Sequence, residues 1–140
     1  MANIIPTAFK TELLSGTHNF ANGGNSFKIA LYTSNPYSAS STTYSTSNEV
    51  SSSGTSYAAG GQVLDSQAVA ATSTTGHVDF ADETFASVTL TAAFAAIYND
   101  TNSDKLCLVL DFGGNKTATN GDFVVQFPTA NASDAIIRIA

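Results

Sequence analysis

Charge is the first thing this chain lacks. Asp, Glu, Lys and Arg make up 11% of its 140 residues, against a usual share of about 25%. Cations are scarcest: five Lys and Arg stand against eleven Asp and Glu, and none lies between residues 29 and 104. Nucleic-acid binding needs a basic patch to neutralise phosphates, so that class is set aside. Trp is absent and there is one cysteine, Cys107. A disulfide within the chain is therefore excluded, and a lone cysteine in an apolar run reads as a small buried hydrophobe. No window approaches the ~18 apolar residues of a membrane span, and the opening MANIIPTAFK has neither the basic nor the apolar region of a signal peptide. The expectation is a soluble protein made in a reducing cytoplasm, with no membrane partner.

Reaction motifs are missing as well. Nucleophilic catalysis needs a Ser or Cys, a base and an orienting group, yet the two histidines, His18 and His77, stand in no familiar frame. There is no G-x-S-x-G elbow and no phosphate loop. Two distant His and one Cys make no zinc set. Asp82 and Glu83 are adjacent, so on a strand they face opposite sides and form no acid/base pair. Asp100-Thr101-Asn102-Ser103-Asp104 has the first spacing of a calcium loop, but Lys105 stands where its glycine belongs. A turn explains the same residues. The reading is of a non-enzyme with no cofactor and no metal.

What is abundant is hydroxyl: Ser and Thr form a quarter of the chain. They concentrate in residues 34–57, where fourteen of twenty-four are Ser or Thr. A loop that long inside a small domain is usually functional or disordered. Tyr37, Tyr44 and Tyr57 give it aromatic anchors of the kind interfaces use, so it is read either as solvated or as ordering against a partner.

The rest reads as strands. Residues 92–98 and 106–112 are two apolar runs joined by an Asn/Asp/Ser turn. The second is apolar on both faces, as in the middle of a sheet. Residues 27–33, 62–65, 77–80, 84–90, 123–127 and 135–139 are further short strands, and 66–75 receives no assignment. Asn120-Gly121 predicts a tight hairpin. At the start, Pro6 opens a helix in which Ile5, Phe9 and Leu13 recur four apart with Leu14 beside them, and Gly16 stops it. About eight short strands at ten-residue intervals predict a mainly β fold, an antiparallel β-sandwich or jelly-roll-like domain with one short N-terminal helix. The whole chain, 1–140, is one domain, with 1–24 a helical arm and 34–57 the long loop.

Seven segments in order (FKTELLSGTHNF, FKIALYTS, YSTSNEV, YAAGG, IYNDT, LDFGG and FPTANASDAIIRIA) resemble a family of small virion structural proteins of tailed bacteriophages. Members are typically head decoration or cement proteins. The strand before IYND often carries a charged or polar residue in that family, whereas here it is TAAFAA. The resemblance implies a decoration or cement protein that binds and stabilises the major capsid protein as a homo-oligomer, commonly a homotrimer, on the capsid surface of a virion made in the host bacterial cytoplasm. It makes Ile4, Ile5, Phe9, Leu13 and Leu14 candidates for subunit or capsid contact, unless the helix packs on its own sheet. The alternatives are a tail, neck or fibre-base component, or a displayed glycan- or host-surface-binding module.

Overall fold

Alternation in FKIALY builds the central strand. Phe27, Ile29 and Leu31 point to one face and Ala30 and Tyr32 to the other, and all five are buried. A strand whose two sets of side chains are both buried needs a layer on each side, and the fold supplies two different ones.

The computed structural model describes residues 3–140. It has one helix, α1 (Thr7–Leu14), followed by β1 (Phe27–Tyr32), β2 (Gln62–Val63), β3 (Ala68–Thr72), β4 (Thr75–Asp79), β5 (Glu83–Asn99), β6 (Lys105–Val125) and β7 (Ile137–Ile139). The protein is mainly β, with two antiparallel sheets. The main sheet has the order β2-β1-β5-β6 and the outer sheet β3-β4-β7. Between them lies the larger core, in which Phe20 stacks on Phe27 at 4.2 Å and Phe80 meets both edge-on. Helix α1 drops Phe9 into this layer. On the other face of the main sheet a smaller core gathers Ala30, Tyr32, Tyr37, Ala96, Tyr98, Leu106 and Val109. The cover there is the long loop and the N-terminal arm.

Three expectations change. The strands expected at 84–90 and 92–98 are one strand, β5, and those at 106–112 and 123–127 lie in one strand, β6. Asn120-Gly121 is consequently not a hairpin turn. Asn120 does adopt a left-handed φ of 45°, but it does so at a register shift opposite Val88–Leu90. Thr89 Oγ1 accepts from its backbone N–H at 3.0 Å. A continuous partner strand turned the local signal into a bulge. The unassigned stretch, in turn, contains β3. These changes leave seven strands instead of eight. Residues 106–112 are covered on both faces at their apolar end as expected, yet β6 is an edge strand. Ile4 pairs with Val109 through two backbone hydrogen bonds of 3.0 and 2.8 Å, and Leu106 N–H donates to Thr42. Arm and loop together cap that edge. The expected Asn/Asp turn stands at residues 100–104.

Candidate interaction surface

Glu49 organises the long loop. Its carboxylate accepts from Tyr44 Oη (2.5 Å), Tyr57 Oη (2.7 Å) and the Gly60 N–H (2.7 Å). Tyr57 Oη also accepts from Leu31 N–H at 3.0 Å, which ties the loop to β1. Tyr98 Oη donates to the Gly60 carbonyl at 2.5 Å. Tyr32 and Tyr37 share a 2.6 Å bond, Tyr37 Oη accepts from Ser45 N–H and Tyr32 Oη donates to the Ser45 carbonyl. All five tyrosines of the chain thus fasten the loop to the main sheet, Tyr32, Tyr37, Tyr44 and Tyr98 on one face and Tyr57 in the larger core on the other. Burial raises the Tyr57 and Tyr44 phenols above their ordinary range, and bonding to Glu49 adds to the shift.

This accounts for three of the residues proposed as outward contacts. Tyr37 and Tyr57 are buried and Tyr44 is half-buried, stacked on Tyr98 at 4.6 Å. They anchor the loop inward, because a phenol ring buries much apolar area while its hydroxyl stays bonded. The surface left to solvent is the hydroxyl fringe, including Ser38, Ser40, Ser51 and Ser53.

The arm divides in the same way. Phe9 is buried, Ile4 is half-buried in its bridge to β6, and Leu13 packs against the core edge. Ile5 is 40% and Leu14 90% exposed. Beside the end of α1 runs an apolar groove of about 380 Å³, whose walls include Leu13, Phe20, Val69, Ile137 and Ile139. Val69 and Ile139 are themselves exposed. A second hollow, of about 600 Å³, follows β6 past Phe112, Lys116 and Phe127.

A further cluster was not legible in sequence. His18 Nδ1 lies 3.0 Å from Asn99 Nδ2 and 3.8 Å from Cys107 Sγ, and His18 Nε2 lies 3.8 Å from Glu12 Oε2. Asn99 Oδ1 accepts from the backbone N–H groups of Thr101 and Asn102, so its amide nitrogen must donate. His18 Nδ1 is then an acceptor and the neutral ring carries its proton on Nε2. Burial pushes the imidazole below its usual value, against the opposing pull of Glu12. Cys, His and Glu in line have the order of a nucleophilic triad, but the chemistry is wrong. A reactive thiolate needs a lowered pKa and access, whereas Cys107 is fully buried and burial drives its thiol up. The cluster instead ties arm, turn and helix together, with Asn25 Oδ1 accepting from both Asn99 and Asn102 and Lys105 pairing with Glu12 at 3.0 Å. Among the described residues no three His, Cys, Asp or Glu side chains gather to hold a metal ion, and no helix is long and apolar enough to cross a membrane.

No family model, no curated protein and no solved structure matches this chain.

Proposed function

We propose that this chain is a non-enzymatic virion structural protein of a tailed bacteriophage, acting as a decoration or cement protein that binds the major capsid protein shell as a homo-oligomer. The resemblance noted above supplies the family. The observation that carries the reading is the division of labour in α1. Phe9 locks the helix into the core while Leu14 at its end, and Ile5 just before it, remain outside. A rigidly held segment that presents Ile5 and Leu14 outward is preorganised for protein contact, because little is lost in ordering it on binding. The weakly charged, hydroxyl-rich composition of the chain suits adhesion between protein surfaces better than steering of a charged ligand.

Antibody labelling of purified virions, with copy number measured on the same particles, tests the proposal. Dense label over the head and hundreds of copies is the expected result. Label confined to the tail or its junction, with tens of copies or fewer, would favour the tail or neck reading. Saturable binding to a glycan array would favour the displayed binding module. Replacing Leu14 by Asp is expected to abolish binding to isolated shells with the fold unchanged, since the side chain touches little of its own domain. Undiminished shell binding by that variant would remove α1 from the interface.

A further inference from the structure

Among the described residues four strands have an edge without a strand partner, and three of these edges are protected in familiar ways. β2 is two residues long, β7 is three residues long and carries Arg138, and β6 is interrupted by bulges and carries Lys116 and Asp122. Shortness, bulges and charge are how proteins keep sheet edges from pairing with other chains. β3 has none of them. Ala68-Val69-Ala70-Ala71-Thr72 is regular along its whole length, uncharged and free of proline, and all five residues are exposed.

We infer that the free edge of β3 pairs antiparallel with β3 of a second copy, about a two-fold axis at Ala70. The hairpin fixes the register. Thr72 and Thr75 close a two-residue turn, so they form a hydrogen-bonded pair, and the alternation of antiparallel ladders points the N–H and C=O of Val69 and Ala71 to the free edge. A two-fold at Ala70 sets Val69 opposite Ala71 of the copy and Ala71 opposite Val69. The outward groups then meet in two hydrogen-bonded pairs, and a larger side chain lies against a smaller one each time. It is the one register that overlaps all five residues.

Charge favours a copy of this chain as the occupant. The protein carries a net charge of -6, yet residues 67–78 hold no Asp, Glu, Lys or Arg. That stretch is where two equally acidic molecules approach with least repulsion. Asp65 and Asp79 both lie at the Ala68 end of the hairpin. Antiparallel pairing sets that end against the neutral Ser73-Thr74 tip of the other copy, so no like charges face each other. Pairing would join two outer sheets into one of six strands, β7-β4-β3 continued by its mirror order. A two-fold contact makes pairs, and Val69 on this edge shares the groove beside α1 with Leu13. The pairing does not depend on where the protein resides.

The test uses single cysteines and purified full-length protein. Directly opposite residues of an antiparallel pair have Cα atoms about 4.5–5.5 Å apart, within disulfide range. Ala70→Cys is expected to give a disulfide-linked dimer on mild oxidation. Ala68→Cys and Thr72→Cys, each roughly 14 Å from its own copy at about 3.4 Å per residue, are expected to stay monomeric singly and to cross-link when mixed. Sedimentation velocity of the unmodified protein at submillimolar concentration is expected to show twice the monomer mass, and Ala70→Lys, at an exposed position, to return it to monomer with an unchanged circular dichroism spectrum. A monomer at all concentrations, a dimer that survives Ala70→Lys, or equal cross-linking at all three positions would each overturn the inference. None of these outcomes bears on where label falls on virions.

Discussion

At the scale of single residues, two side chains hold more than their size suggests. Glu49 accepts hydrogen bonds from two phenols and one backbone amide. Removing it strands three donors in a partly buried site, and unsatisfied groups of that kind cost ≈ 1–3 kcal/mol each before relaxation. Glu49→Ala is expected to lower stability by about 3 kcal/mol in urea denaturation and to open residues 34–57 to limited proteolysis. A variant that resists protease as the parent does would mean that packing alone holds the loop. His18 gives a pH dependence of definite sign. Its folded-state value is lowered, so below about pH 6.5 the unfolded chain binds a proton that the folded chain refuses. Stability is then full above about pH 6.5 and falls with decreasing pH until the folded imidazole itself titrates, by no more than ~1.4 kcal/mol per pH unit from this group. Protonation would also set a new N–H at Nδ1 against the Asn99 amide donor. His18→Gln is expected to lose this component, seen as a flatter dependence of the urea midpoint between neutral and mildly acidic buffer. An unchanged slope would assign the acid sensitivity to the carboxylates.

At the scale of elements, the joint between the loop and β2 shows how a backbone requirement can govern a whole segment. Gly61 has φ +78°, and a Cβ there would lie 1.8 Å from the Ile29 carbonyl oxygen. Close approach of this joint to β1 is what lets Gly60 reach both Glu49 and Tyr98. Gly61→Ala is expected to cost about 3 kcal/mol or more, combining left-handed strain with a backbone clash. Calorimetry would register it as a clear fall in Tm, and a fall no larger than that of an exposed-loop Gly54→Ala control would contradict the geometry. Helix α1 gives a paired contrast. Phe9→Ala, in the core, is expected to destabilise by about 4 kcal/mol, while Leu14→Asp changes stability by less than about 0.5 kcal/mol. Equal effects would mean that the helix rests on the sheet differently from the arrangement described here.

At the scale of the whole molecule, the main sheet is a shared wall between two cores of different chemistry. One side is sealed by Phe-rich packing against the outer sheet, the other by hydrogen-bonded tyrosines from a polar loop. The loop sequence alone is mostly hydroxyl and gives little reason to fold. Its three tyrosines were legible as anchors, but an aromatic anchor can bind inward or outward, and only the two faces of the main sheet decide which, Tyr37 and Tyr44 filling one and Tyr57 the other. The Asn120-Gly121 misreading has the same origin. Residues that permit a left-handed bend permit a turn or a bulge alike, and the partner strand chooses between them. The His18 cluster could not be read at all, since its members are 81 and 89 residues apart in the chain.

The sequence by itself determined the mainly β class, the single helix at the N-terminus, the Asn/Asp turn before Lys105, the buried state of Cys107 and the scarcity of cations. Each follows from local patterning or composition, which act through nearest neighbours and survive any arrangement of the rest. Tertiary structure decided which apolar runs merged into the long β5–β6 hairpin, which way the tyrosines faced, and which strand edge was left bare. These depend on contacts between residues distant in the chain, where the free energy belongs to a pair and neither member carries a sign of it alone.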